Sequence, residues 1–216
     1  MARARRHSLE DLLDVAEQLV TSGDPTGLTL RALATGAGAS NGTIYHAFRS
    51  KEELLARLWL RATSRLGAIM EEAVCSAGDR AGDGSVGHEA VVGVATAPVL
   101  FARRHPVSAQ LFFAQRSDQL FSADLAPEVV DALNEEHRRF SELLVALAER
   151  VWGRRDHVAV EAVAACVVDV PGGFLRRRLL DGHGVNAATE SRIEAAVRAV
   201  LALPLDPPRK KSGDRR

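Results

Sequence analysis

Cysteine is nearly missing from this 216-residue chain: Cys75 and Cys166 are the two. That is too few for a disulfide framework, and a reducing compartment is expected. Each lies in an apolar, helix-like stretch and reads as a buried thiol. Aromatic residues make up only 5% of the chain, so Trp59, Phe101, Phe112, Phe113, Phe140 and Trp152 stand out. Long apolar runs are missing as well. None approaches the roughly 18 residues of a membrane span, so no membrane partner is expected. The basic opening MARARRHSLEDLL has no apolar stretch or cleavage site and does not read as a secretory leader. A cytoplasmic protein is the expectation.

Net charge is the last absence. Lys+Arg and Asp+Glu are 28 each, which gives no general attraction to nucleic acid. The distribution is slightly uneven: residues 1–66 hold 9 cations and 7 acids, leaving 19 and 21 for the rest. Any case for a nucleic-acid partner must therefore come from position rather than from total charge.

What is present is helical periodicity from end to end, with no convincing strand alternation and no internal repeat. Ser8 with Asp11 starts a helix whose apolar side is Leu9, Leu12, Leu13, Ala16, Leu19 and Val20. Gly23-Asp24-Pro25 ends it. Thr29 caps a short second helix with Leu30, Leu33, Ala34 and Ala37 facing inward. Gly38 supplies a turn residue that tolerates positive φ. Ser40 caps a third helix in which Ile44 and Phe48 face inward. Ser50 and Glu53 have the spacing of a capping box, opening a fourth helix that continues to about Cys75. Residues 76–88 read as a loop. Helices follow over about 86–104, interrupted or kinked at Pro98, over 107–116, and from Pro127 to about Trp152. The last of these has Val130, Leu133, His137, Phe140, Leu144, Leu147 and Val151 on one side. Another helix begins at Asp156, is interrupted at Pro171-Gly172-Gly173 and resumes to about Asp181. A last helix covers about 188–203. The expected class is all-α: an N-terminal three-helix domain with a helix-turn-helix over residues 1–50, a larger helical domain over 51–205, and a disordered tail over 206–216.

The stretch Leu28–Leu55 carries the chemistry. A helix-turn-helix lays its second helix in the major groove, reads base edges with the first residues of that helix, and takes its register from flanking phosphates. Asn41 and Thr43 are short and polar, Gly42 permits close approach, and Tyr45 and His46 can donate to phosphate oxygens. Lys51 adds a cation in the first turn of the fourth helix. Two catalytic patterns overlap this stretch. Gly38-Ala39-Ser40-Asn41-Gly42 matches G-x-S-x-G, but a helix rather than a strand precedes the serine. Gly36-Ala37-Gly38 begins like a dinucleotide fingerprint, but Asn41 stands where the third glycine belongs. No metal or cofactor motif is found, and an enzyme is not expected.

The pattern Leu28-Thr29-Leu30-Arg31, Leu33-Ala34, Ala37-Gly38, Ser40, Gly42-Thr43, Tyr45, Phe48, Lys51-Glu52-Glu53-Leu54 resembles the N-terminal domain of TetR-family transcriptional regulators. The resemblance covers about Ser8 to Trp59. Two residues depart from it: Gly36 near the end of the second helix, and Ala39 where the family usually has valine. The resemblance implies a DNA operator as partner. Thr29, Ser40, Tyr45 and Lys51 would go mainly to its backbone, and Arg31, Asn41, Gly42 and Thr43 to the groove. It also implies a homodimer through the last two long helices, here 156–181 and 188–203, and a repressor released by a small molecule. Candidate walls for such a ligand are Trp59, Leu66, Met70, Phe101, Phe112, Phe113, His137, Phe140 and Leu144, which suit an apolar or aromatic effector. Two alternatives stay open: a regulator of the same kind without a small-molecule ligand, and a helical enzyme or carrier.

Overall fold

The computed structural model describes residues 8–21, 28–80, 85–114 and 124–207. The basic arm at Arg3–Arg6, the Gly23–Pro25 helix stop and nearly all of the expected tail lie outside them. Among the described residues every regular element is helical: α1 Leu9–Thr21, α2 Leu30–Ala37, α3 Asn41–Ala47, α4 Lys51–Cys75, α5 Ala77–Arg80, α6 Val86–Arg104, α7 Pro106–Ala114, α8 Pro127–Trp152, α9 His157–Ala164, α10 Val170–Leu180 and α11 Ala187–Leu201. Two compact units result. Unit 1 holds residues 1–65 and 104–136, and unit 2 holds 66–103 and 137–216.

Unit 1 is a small helical head with one continuous core. Leu12, Leu13, Ala16 and Val20 from α1 pack with Leu33 of α2, Ile44 of α3, Phe48, Leu54 and Leu58 of α4, and Leu111 of α7. Local chemistry fixes each boundary. Ser8 and Asp11 cap α1 reciprocally: the Ser8 amide donates to Asp11 Oδ2 at 2.9 Å and the Asp11 amide to Ser8 Oγ at 3.1 Å. At the start of α4 the expected box is only half made. The Glu53 amide donates to Ser50 Oγ at 3.1 Å, but the Glu53 carboxylate turns to Arg57, accepting from its Nε at 3.0 Å and its Nη2 at 2.8 Å. Glu53 is almost fully buried, and a buried carboxylate is stabilised more by a cation than by an amide. A second apolar cluster joins Ala56 to Leu125, Ala126, Val129 and Leu133. On α8 it is thus Val129 that turns inward, while Val130, expected there, is exposed.

Unit 2 is larger and contains the remaining helices. Its buried residues include Phe101, Leu147, Val163, Leu175 and Ile193. Arg198 near the end of α11 bridges Glu89 near the start of α6 at 2.6 Å, and Arg103 at the end of α6 meets Glu190 near the start of α11 at 2.7 Å. These two pairs join opposite ends, so α6 and α11 run antiparallel.

Several expectations are corrected in unit 2. The stretch 76–88 is not all loop, because Ala77–Arg80 forms a short helix. Helix α6 runs unbroken through Pro98, whose apolar ring is buried with Ala97 and Val99. Cys75 is exposed rather than buried, because it ends α4 at the edge of the unit. Cys166 is buried, and that burial pushes its thiol up to about 11.

The Pro171-Gly172-Gly173 stretch does not interrupt its helix. A π-helical turn, Ala165–Asp169, joins α9 to α10 directly. The Val170 amide reaches back to Ala165 O, an i−5 bond that widens the turn just before Pro171. A proline removes one amide donor and crowds the preceding turn; the wider turn gives its ring room. The result is one helix from His157 to Leu180, with mean hydropathy 1.8 over its most apolar window. By length and composition it is apolar enough to cross a membrane, although no uninterrupted apolar run within it approaches that length. Glu161 and Asp169 divide the sequence into shorter runs, which is why the long helix is hidden in the sequence.

Candidate nucleic-acid interface

The outer surface of unit 1 is built by α2, a turn and α3. Thr29 has extended backbone and its Oγ1 accepts from the Ala32 amide at 3.1 Å, satisfying one of the open donors at the start of α2. Gly38 ends α2 with φ 62°. The Ala39 amide then donates to Ala34 O at 3.0 Å and the Gly38 amide to Thr35 O at 3.2 Å, the paired closure of a Schellman motif. A side chain at Gly38 would be strained by its backbone angle. Ser40 caps α3, its Oγ accepting from the Thr43 amide at 3.1 Å and lying 2.9 Å from Thr43 Oγ1.

This turn sends Ile44 into the core and leaves Asn41, Gly42, Thr43, Tyr45 and His46 outside. Tyr45 is 60% exposed. An aromatic ring held that far out on a seven-residue helix does no core work and leaves its hydroxyl open to a partner. Arg31, Thr29 and Ser40 are also exposed, and Lys51 is half-buried in the first turn of α4. A cation there opposes the helix dipole, at a cost of roughly 0.3–1 kcal/mol that a phosphate would reverse. All nine residues expected to meet DNA belong to unit 1, and all but Lys51 are exposed.

The structure adds Arg49, exposed between α3 and α4. It shows why net charge is a poor guide here: residues 28–51 contain Arg31, Arg49 and Lys51 and no acid at all. Elsewhere in the head, Glu53 of α4 and Asp14 and Glu17 of α1 are engaged with Arg57, Arg61 and Arg65. A window of this size, rather than a whole-domain sum, would have exposed both the patch and Arg49.

Gly36 and Gly42 have different reasons to be glycine. A Cβ on Gly36 would lie 3.1 Å from Val15 Cγ1, so that glycine lets α2 approach α1 closely. A Cβ on Gly42 would meet nothing nearer than Ser40 Oγ at 3.7 Å. Nothing inside the fold requires a glycine there, which leaves approach from outside.

The candidate effector walls are distributed. In unit 1, Trp59 stacks on Phe112 with centroids 5.8 Å apart, and Phe113 meets Phe112 edge-on at 5.2 Å. In unit 2, Leu66, Met70 and Phe101 are buried core residues, Phe140 and Leu144 are half-buried, and His137 is exposed. Among the described residues, two open grooves lie along α10 and α11. One groove of about 430 Å³ is lined by Gly173, Phe174, Arg177, Arg178, Thr189 and Arg192, none of them an expected wall.

The G-x-S-x-G string sits between two helices, with its serine committed to capping α3. A helical head with a capped helix-turn-helix, one reading helix outside and a patch free of acids, defines a DNA-reading module carried by a larger helical body. Residues 12–58 match the family model for bacterial regulatory proteins, tetR family. An uncharacterized HTH-type transcriptional regulator of Mycobacterium tuberculosis is 38% identical over 66 residues, covering 31% of this chain and 33% of that protein. The chain thus spans about a third of the length of the curated relatives it matches. The fold match is wider. A TetR family transcriptional regulator from Thermus thermophilus superposes with TM-score 0.60 at 22% identity, covering 88% of this chain and 96% of that one. The fatty acid degradation regulator of Bacillus halodurans gives 0.62 at 15%, covering 93% and 97%. A ketosteroid transcriptional regulator of Mycobacterium tuberculosis gives 0.58 at 18%, covering 93% and 97%. Residues 12–58 therefore carry the DNA-binding domain of the tetR family of bacterial regulatory proteins, and the rest of the chain shares the helical fold of solved TetR-family regulators.

Proposed function

We propose that this chain is a cytoplasmic, dimeric, sequence-specific repressor that leaves its operator when a small apolar or aromatic ligand binds. The observation that carries the DNA part is the exposed, acid-free surface of residues 28–51 on a head with a continuous buried apolar core. Thr29, Ser40, Tyr45, Arg49 and Lys51 anchor phosphates, and Arg31, Asn41, Gly42 and Thr43 enter the groove, with His46 at its edge. Pairing a cation with a phosphate releases counterions, so each cationic anchor removed should lower the salt slope by about 0.9. Selection of bound sites from random DNA, followed by a salt titration, tests this. Tyr45→Phe with Lys51→Ala should weaken binding at every site, and the loss of Lys51 should flatten the slope; an unchanged slope removes Lys51 from the backbone set, and unchanged affinity in Tyr45→Phe alone removes Tyr45.

Twofold symmetry is supported by the helix His157–Leu180. Only about a third of its apolar window is buried within the chain. Val168, Phe174 and Leu180 are exposed along it, and Ala162, Ala164 and Ala165 allow close approach of another helix. A second copy of the same helix would cover these exposed apolar side chains, and two reading heads would then address half-sites about 34–36 Å apart.

Ligand release is supported by the Trp59–Phe112–Phe113 cluster, half-exposed planar surface suited to an apolar molecule. Solved proteins of this fold include regulators named for fatty acid degradation and for ketosteroids. Switching from 1:99 to 99:1 requires about 5.5 kcal/mol of differential affinity. A second reading, a regulator that answers to no small molecule, is favoured by one observation: the grooves along α10 and α11 are lined largely by arginines and glycines and by none of these aromatics. Binding of fatty acids and steroids, followed by Trp59 fluorescence and by release of labelled operator, separates the two.

A further inference from the structure

Helix α1 holds none of the residues assigned to DNA, yet it carries the densest polar cluster of unit 1. Glu10, Asp14 and Glu17 are spaced four and three apart, so they share one face of α1. Arg61 and Arg65, four apart, present a matching face of α4. Arg65 Nη1 donates to Glu17 Oε1 at 2.8 Å and Oε2 at 3.1 Å, and also to Ser108 Oγ of α7. Ser108 Oγ in turn donates to Glu17 Oε1 at 2.6 Å. Arg61 Nη2 pairs with Asp14 Oδ1, its Nε lies 3.5 Å from Glu10 Oε2, and its Nη1 lies 3.9 Å from Glu17 Oε2. Ser108 is 1% exposed, and the Glu17, Arg61 and Arg65 side chains are largely sheltered.

The shared core among α1, α4 and α7 is apolar, through Leu12, Leu13, Leu58 and Leu111. Apolar packing is non-directional and tolerates rotation of one helix on another. Charge-assisted hydrogen bonds do not. We propose that Glu17, Arg61, Arg65 and Ser108 are positioning residues for operator recognition: a three-helix lock that sets the angle of the reading head on α4. The head moves with α1 as one body, because Gly36 brings α2 against Val15 and Leu19 of α1 and the shared core carries α3 with them. Ser108 is the part that can be undone. It uses one hydroxyl to hold both Glu17 and Arg65, so a small displacement of α7 opens two bonds while the direct Glu17–Arg65 pair survives. A displacement of α7 would therefore loosen the lock without breaking it.

The proposal rests on the DNA-reading dimer argued above, and the experiment keeps the two apart. Full-length Ser108→Ala, Glu17→Gln and Arg65→Lys, each checked for folding by thermal melting, are compared with the native chain on two readouts. The first is binding to the selected operator and to versions with one base pair added or removed between half-sites. Loss of a hydrogen bond to a charged group should cost about tenfold at the native spacing. Discrimination between spacings should weaken, while the salt slope stays unchanged because every phosphate anchor is retained. The second is hydrogen exchange of the α1 amides, which should accelerate in all three variants with no DNA present. Faster exchange in α1 with no selectable operator keeps the lock and rejects the DNA reading. Native exchange rates in α1 reject the lock, as does a spacing profile identical to the native one.

Discussion

Unit 1 and unit 2 each contain a helix that would be unstable as an exposed surface, and they deal with it differently. In unit 1 the α4 face bearing Arg57, Arg61 and Arg65 finds acids on α1, on α4 itself and at Glu128 of α8, all within the unit. In unit 2 the helix from His157 to Leu180 leaves Val168, Phe174 and Leu180 in solvent. Ion pairs need fixed geometry and are completed internally, so the head behaves as a closed body. Exposed apolar side chains need only complementary area, which the dimer proposed above would supply. The head is built to present one rigid surface; the uncovered helix is built to be joined.

That contrast is broken most severely at the apolar helix. Val168→Asp together with Phe174→Glu should convert a dimer into a monomer at micromolar concentration in sedimentation, and operator affinity should fall by orders of magnitude because one half-site remains. The head's own thermal transition should stay where it was. A variant that sediments like the native chain would mean that the joining surface lies elsewhere.

Three glycines sharpen the comparison at smaller scale. A Cβ on Gly87 would lie 2.5 Å from Arg150 O and 2.8 Å from its carbonyl carbon, and backbone cannot move aside. Gly87→Ala should destabilise the protein by about 1–3 kcal/mol, read as a lowered Tm. At Gly36 the neighbours are side-chain tips of Val15 and Leu19, and alanine's higher helix propensity, worth up to about 1 kcal/mol, opposes the crowding. Gly36→Ala should therefore be nearly neutral. At Gly42 nothing crowds the site, so Gly42→Ala should stabilise the fold slightly while weakening operator binding. Stability and affinity moving in opposite directions at Gly42 would mark it as a residue kept for its partner.

The head is more legible in the sequence than the body, for physical reasons. Ser8, Thr29, Ser40, Ser50 and Asp156 are caps, and a cap acts within three residues, so its effect can be read locally. Gly38 marks its turn for the same reason. What misleads are features that act across distance or across elements. Pro171 reads as a break because its accommodation depends on the π-helical turn before it. Glu53 reads as half of a box because its preference for Arg57 depends on burial. Cys75 reads as buried because helical periodicity says nothing about where a packed face ends. The acid-free patch over 28–51 is readable but hidden in a domain-wide sum. The Glu17–Arg65–Ser108 cluster cannot be read, because its members stand 43 to 91 positions apart.

The smallest expected effect concerns pH and concerns the head alone. His105, at the start of α7, has its pKa lowered: burial acts first, then Arg65, with Arg104 and Arg61 adding to it and Glu17 opposing. A histidine held below its ordinary value of about 6.5 binds fewer protons folded than unfolded, so stability rises with pH across that interval. The contribution is fully present above about pH 6.5 and is lost as pH falls toward the folded pKa. Denaturant midpoints measured from pH 7.5 down to 5 should therefore decline for the native chain. His105→Gln should remove part of that decline without changing the midpoint at pH 7.5 by much. Because Arg65 is the leading charge on His105 and also the hub of the Glu17–Ser108 cluster, Arg65→Gln should shrink the His105 contribution too. A decline that survives in His105→Gln undiminished would assign the acid sensitivity between pH 7.5 and 5 to groups other than His105; Asp156, held down at about 2 by its hydrogen bonds from Arg154, would add its own loss only below about pH 4.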